Sequence, residues 1–95
     1  MSDMSIPRGA RSDIEVRVRK VLSDHAQIGV NGTPLHIDSD LYEAGMTSRA
    51  SVNVMLGLET EFAIEFPDSM LRRDVFESIE AICEAVEHLS MQRSA

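Results

Sequence analysis

Ser48 lies between a glycine turn and an amphipathic run, in the stretch DLYEAGMTSRASVNVMLGLETEF from Asp40 to Phe62. Nothing beside it activates a nucleophile. If its hydroxyl works, another protein must act on it, which makes it an attachment point rather than a catalyst. A Ser or Thr just before an apolar-periodic run ordinarily serves as the helix N-cap, accepting an amide N–H of the first turn. Thr47 can take that role and leave Ser48 available. The helix start then offers unpaired amides and the positive end of the helix dipole, where a phosphodiester on Ser48 is electrostatically favoured. Gly45 lets the chain turn sharply enough to present it.

The other reactive side chains form no site. His25, His36 and His88 are far apart and show neither Cys-x-x-Cys nor His-x-x-x-His spacing, so no metal centre is expected. Cys83 falls on an apolar helix face, where a cysteine behaves as a small buried hydrophobe. Its neighbours Glu80, Glu84 and Glu87 would raise a thiol pKa rather than lower it. Those evenly spaced carboxylates read as a solvated surface, and Met46, Met55 and Met70 as core filler.

The elements that must position Ser48 follow from periodicity. A first helix is expected from Ser12 to Ala26, with Ile14, Val18, Val21 and Leu22 on one face and Arg17, Arg19 and Lys20 solvated. Residues 27–47 read as a long loop broken by Gly29, Gly32, Pro34 and Gly45, tied down by Ile28, Val30, Leu35, Ile37 and Leu41. A second helix should begin at Thr47 or Ser48 and end at Phe62. Its apolar stripe is expected to hold Val52, Met55, Leu56, Glu59 and Phe62, widened by Val54 and Leu58. Mid-helix Gly57 costs up to about 1 kcal/mol against Ala but allows a close crossing. Pro67 and Asp68 precede a short third helix over 69–73, and a last helix runs from Ser78 to Leu89. Residues 1–10 are expected to be a flexible tail, 11–90 the folded domain and 91–95 a frayed end.

Composition narrows the class. Ninety-five residues make one domain at most, with a mostly aliphatic core, since only Tyr42, Phe62, Phe66 and Phe76 are aromatic. That suits a small helical bundle. No apolar run approaches the roughly 18 residues of a membrane span, and the N-terminus lacks the core of a signal peptide; a cytoplasmic monomer is expected. The net charge is −7: residues 1–35 carry five basic and four acidic side chains, residues 36–95 four and twelve. Such a surface repels phosphate backbones, and the helix after Ser48 has Arg49 as its one basic residue, so nucleic-acid binding is disfavoured.

The stretch ending DLYEAGMTS, then VNVMLGLETEFAIEFPD and FESIEAI, resembles the acyl carrier proteins and related phosphopantetheine-binding carriers, from about Asp13 to Leu89. The passage Leu58–Asp68 is the more specific half of the match. The resemblance implies an all-α, acyl-carrier-protein-like four-helix bundle with a short third helix and a long loop between helices 1 and 2. It also implies a 4'-phosphopantetheine arm on Ser48, attached from coenzyme A by a phosphopantetheinyl transferase. The arm holds an acyl or aminoacyl group as a thioester, and the carrier, which is not an enzyme, delivers it to acyl-transferring enzymes.

Departures from the family pattern sharpen this expectation. Thr47 stands where the family usually has Asp, and the helix face commonly lined by acids carries Arg49, Ala50, Ser51 and Asn53. With Arg72 and Arg73 this disfavours the basic partners of housekeeping fatty-acid synthesis and suggests a dedicated partner. Met46, Thr47, Arg49, Val52, Asn53, Arg72 and Arg73 are the expected partner-binding residues. GMTS and PDSMLRR resemble an atypical stand-alone bacterial subgroup, some of whose members receive amino acids from ligases related to aminoacyl-tRNA synthetases. An unmodified helical docking module remains the alternative.

Overall fold

The computed structural model describes the backbone of residues 6–26 and 35–93, and side chains within 12–26 and 35–90. Three α-helices are present: α1 (Ile6–His25), α2 (Ser48–Phe62) and α3 (Ile79–Arg93). There is no strand among the described residues. No described helix is long and apolar enough to cross a membrane.

The first helix starts before its expected boundary and takes in residues 6–10 of the expected tail. Pro7 does not prevent this, because in a first turn its missing N–H would have no intrahelical acceptor. The rest of that tail, residues 1–5, lies outside the described residues, as do residues 27–34 with the expected ties Ile28 and Val30. At the other end, α3 continues past Leu89 to Arg93, into the stretch expected to fray.

Val18, Val21 and Leu22 are buried on one face of α1 and Ile14 packs against them, as the sequence period predicts. Arg17 and Arg19 are not simply solvated. Arg17 donates from Nε to Glu61 Oε2 at 2.8 Å and from Nη2 to the Glu61 carbonyl at 2.7 Å, and its guanidinium lies 4.4 Å from the Phe62 ring centroid. The hydrogen bond to the Glu61 carboxylate holds its pKa above the usual arginine value. Arg17 thus serves one of the last carbonyls of α2, which lack intrahelical donors. Arg19 donates to the Leu35 carbonyl at 2.7 Å and anchors the described end of the loop.

Gly57 is buried where α2 meets α1. A Cβ there would sit 2.7 Å from the exposed His25 ring and 3.0 Å from Val21 Cγ1, so any larger residue must displace that ring and press on Val21. This contact turns Val54, Gly57 and Leu58 inward, with Met55 and Phe62 half-buried. Val52 and Leu56, expected on the apolar stripe, are 52% and 51% exposed, which for Val52 agrees with its place among the expected partner-binding residues. Their stripe is also helical in period, but α1 selects the face that carries the glycine.

Past α2 the chain reverses through Ala63 in the left-handed region (φ 55°), with the Ile64 N–H donating to the Glu59 carbonyl at 3.2 Å. The Glu59 carboxylate accepts the Phe66 N–H at 2.9 Å. Glu59 and Phe66, both within the Leu58–Asp68 passage, therefore organise this corner.

Around the stretch 69–73, expected as a short third helix, lie two 3₁₀ turns, Asp68–Met70 and Arg73–Val75. Neither has a side-chain cap or a buried residue, and the Leu71 backbone (φ −87°, ψ 65°) breaks the path between them. Only Met70 and Val75 of these turns are half-buried against the core, too little apolar surface to sustain a longer helix. α3 begins where Ser78 Oγ accepts the Ala81 N–H at 3.0 Å, and buries Ile79, Ile82, Cys83, Val86 and Leu89.

Candidate functional site: the start of α2

The turn before α2 is built by Asp40, whose carboxylate accepts the Tyr42 N–H at 2.9 Å and the Glu43 N–H at 3.3 Å. Leu41, fully buried, donates its N–H to the Glu77 carbonyl at 2.8 Å, and the Glu80 N–H reaches the Ile37 carbonyl at 2.9 Å. The turn is thereby fixed to the start of α3. Gly45 has φ 117°, a conformation that favours glycine. The Met46 N–H then donates to the Leu41 carbonyl at 3.0 Å.

That bond draws Met46 under the turn, and its side chain is 2% exposed. Met46 therefore belongs to the core, in line with its reading as core filler and against its place among the expected partner-binding residues. Thr47 is the N-cap of α2: its backbone is extended and its Oγ1 accepts the Ala50 N–H at 3.0 Å. Ser48 is the first residue of the helix and is exposed. Its carbonyl accepts the Ser51 hydroxyl at 2.6 Å, while its own hydroxyl has no partner among the described residues.

A groove of about 370 Å³ opens beside Ser48. On the α2 side it is lined by Ser48, Ser51, Val52 and Met55, and on the other by Leu71, Arg72, Arg73 and Phe76, with Tyr42. The Arg73 guanidinium stacks 3.9 Å from the Tyr42 ring centroid, and Phe76 packs against Phe66 with ring centroids 5.4 Å apart. Ser48, Val52, Arg72 and Arg73 of the expected residues are thus brought together. Thr47 is exposed outside the lining, and Arg49 and Asn53 likewise occupy an exposed part of α2 outside it.

Sequence reading missed Tyr42, Leu71 and Phe76 as parts of this site. The available signal was Leu71 itself, a large apolar side chain next to two arginines in a segment with no helical face. Among the described residues, no three His, Cys, Asp or Glu side chains gather in a metal-binding arrangement.

Residues 17–86 match the family described as "Phosphopantetheine attachment site". The chain belongs to this family. The aminoacyl carrier protein of Agrobacterium fabrum is 43% identical over 70 residues, covering 74% of this chain and 84% of the relative. Acyl carrier protein 2 of Pseudomonas aeruginosa is 36% identical over 78 residues, covering 81% and 90%. The fold also matches a solved structure with a TM-score of 0.71 and 41% identity, covering 79% of this chain and 97% of that one. That structure is an engineered Bradyrhizobium japonicum glycine:carrier protein ligase complexed with a carrier protein from Agrobacterium tumefaciens and ATP.

The protein is therefore a carrier and not an enzyme, and its prosthetic group is 4'-phosphopantetheine. The start of α2 fits such a group: an exposed hydroxyl with no partner among the described residues stands at a helix N-terminus whose cap is already supplied by Thr47. The Ser48 and Arg49 amides, at the head of the helix, precede the first intrahelical bond from the Ser51 N–H to the Thr47 carbonyl. They are placed to face an anion.

Proposed function

We propose that Ser48 bears the phosphopantetheine and that the cargo is an amino acid, activated and transferred by a partner ligase in a dedicated pathway. The observation that carries the attachment site is the division of labour between two adjacent hydroxyls. Thr47 closes the helix, and the Ser48 hydroxyl is left exposed with no hydrogen-bond partner among the described residues. The 43% identity to an aminoacyl carrier protein supports the class of cargo.

In this reading the protein's residues present and hold. The Asp40 turn and Gly45 deliver the chain to the helix start, Thr47 keeps the first turn closed, and the unpaired amides with the helix dipole favour a phosphodiester on Ser48. The prosthetic group supplies a terminal thiol on which the cargo is held as a thioester. The two 3₁₀ turns stand in for the short third helix of a four-helix carrier. Thr47, Arg49, Val52, Asn53, Arg72 and Arg73 form the surface read by the phosphopantetheinyl transferase, the ligase and the enzymes that accept the cargo. Arginines here, on a chain of net charge −7, disfavour basic partners.

The test is the intact mass of the protein after incubation with coenzyme A and a broad-specificity phosphopantetheinyl transferase, beside Ser48→Ala. One phosphopantetheine is expected on the parent and none on the variant. A modified Ser48→Ala protein would place the site elsewhere, and an unmodified parent, also with transferases of the native host, would favour the docking module.

A further inference from the structure

We propose that the surface around Ser48 is inert toward the thioester it serves: Arg49, Arg72 and Arg73 offer a partner positive charge without offering an amine that captures the cargo. This rests on Ser48 as the attachment site and goes beyond it, because it concerns the fate of the cargo between loading and delivery.

A thioester is an acylating agent. An unprotonated lysine Nζ adds to its carbonyl carbon, a C–N bond forms, the C–S bond breaks, and the sulfur leaves as a thiolate that takes up the proton released by the nitrogen. The cargo is then an amide on the carrier and is lost to enzymes that accept thioesters. The hazard is local, since a tethered arm presents its end to nearby side chains at an effective concentration on the order of millimolar.

The set of cations avoids this reaction. Lysine is ordinarily among the commonest residues, yet Lys20 is the only lysine among the 9 Lys and Arg side chains of the sequence. It sits on α1, engaged by Asp24 at 3.2 Å, and lines the cavity around His25 and Gly57, which does not include Ser48. Arg72 and Arg73 line the space beside Ser48, Arg49 follows it on α2, and all three are exposed. A guanidinium with a pKa of about 12.5 or more has a free-base fraction at neutral pH at least about 100-fold below that of an ammonium near 10.4. It keeps its charge for a partner's carboxylates and pairs with them in bidentate fashion. The stack on Tyr42 gives Arg73 a structural reason to be arginine. Arg49 has no ion pair or ring contact among the described residues, so packing does not explain the choice there.

The other nucleophiles are withheld as well. Cys83 is fully buried, so its thiol has no access to an exchange with the thioester. None of His25, His36 and His88 lines the space beside Ser48, and no carboxylate does, so no general base stands there to assist hydrolysis. The Ser51 hydroxyl is engaged by the Ser48 carbonyl.

The test loads the full chain directly from acetyl-coenzyme A with a broad-specificity transferase, so that an acetyl thioester is carried whatever the natural cargo. After removal of acetyl-coenzyme A, intact mass is followed from pH 7 to 9, before and after hydroxylamine, which cleaves thioesters and leaves amides. Arg49→Lys, Arg72→Lys and Arg73→Lys keep the charge at exposed positions, so each is expected to load as the parent does. At least one is expected to form hydroxylamine-resistant acetyl protein about tenfold or more faster than the parent, with the acetyl group mapped to the new lysine. That rate should not depend on protein concentration and should rise about tenfold per pH unit as the free amine grows. Lys20→Arg should behave as the parent. Lysine variants that lose acetyl by hydrolysis alone would overturn the inference and leave the attachment site standing, as would a parent that acetylates Lys20 equally fast. A chain that never loads would overturn both.

Discussion

Replacing Thr47 and Ser48 separately by alanine should split stability from function across one peptide bond. Thr47→Ala removes the Oγ1 acceptor of the Ala50 N–H. Loss of a Thr N-cap costs about 1 kcal/mol, and in a domain of this size that lowers the melting temperature by about 4–8 °C. The Ser48 hydroxyl remains, so phosphopantetheine attachment should persist. Ser48→Ala removes no internal hydrogen bond made by the side chain and places a better helix former at an exposed position. Its stability should stay within about 0.5 kcal/mol of the parent, while modification is lost. Thermal and urea unfolding followed by circular dichroism, with intact mass on the same samples, measures both effects. Equal destabilisation by the two variants would mean that Ser48 is itself a cap, and the reasoning that leaves it available for attachment would fail.

Further outcomes follow from the surrounding contacts. Thr47→Asp keeps a capping acceptor and adds a negative charge at the helix N-terminus; a gain of about 0.3–1 kcal/mol is expected in unfolding experiments at low salt. It also restores the family's usual residue, so initial rates of modification by a broad-specificity transferase should rise. Glu59→Ala strips the acceptor from the Phe66 N–H, whose side chain is buried; a loss of about 1–3 kcal/mol is expected by urea titration. Gly57→Leu forces a side chain against His25 and Val21, and overpacking should cost about 1–3 kcal/mol, beyond what improved helix propensity returns. An unchanged urea midpoint would show that α1 and α2 can separate without penalty.

The sequence by itself determined what depends on near neighbours. Thr47 and Ser78 cap helices through bonds to amides three residues on, and such geometry is carried by local order along the chain. The bounds of α2, the apolar face of α1 and the burial of Cys83 were legible for the same reason, because helical periodicity repeats within a few residues. Family resemblance added the nature of the prosthetic group, which periodicity alone does not specify.

Tertiary structure decided the matters in which two local solutions were equally good. Val52 and Leu56 form as regular a stripe on α2 as Val54 and Leu58, and the close approach of Val21 and His25 to Gly57 chose between them. Met46 lies two residues before Ser48, yet the turn locked by Leu41 to Glu77 places its side chain in the core and leaves Ser48 exposed. The groove joins Ser48 to Leu71 and Arg73 across a corner set by Ala63 and Glu59. Such contacts arise only when distant segments compete for the same buried area, and no local period in a sequence records the outcome of that competition.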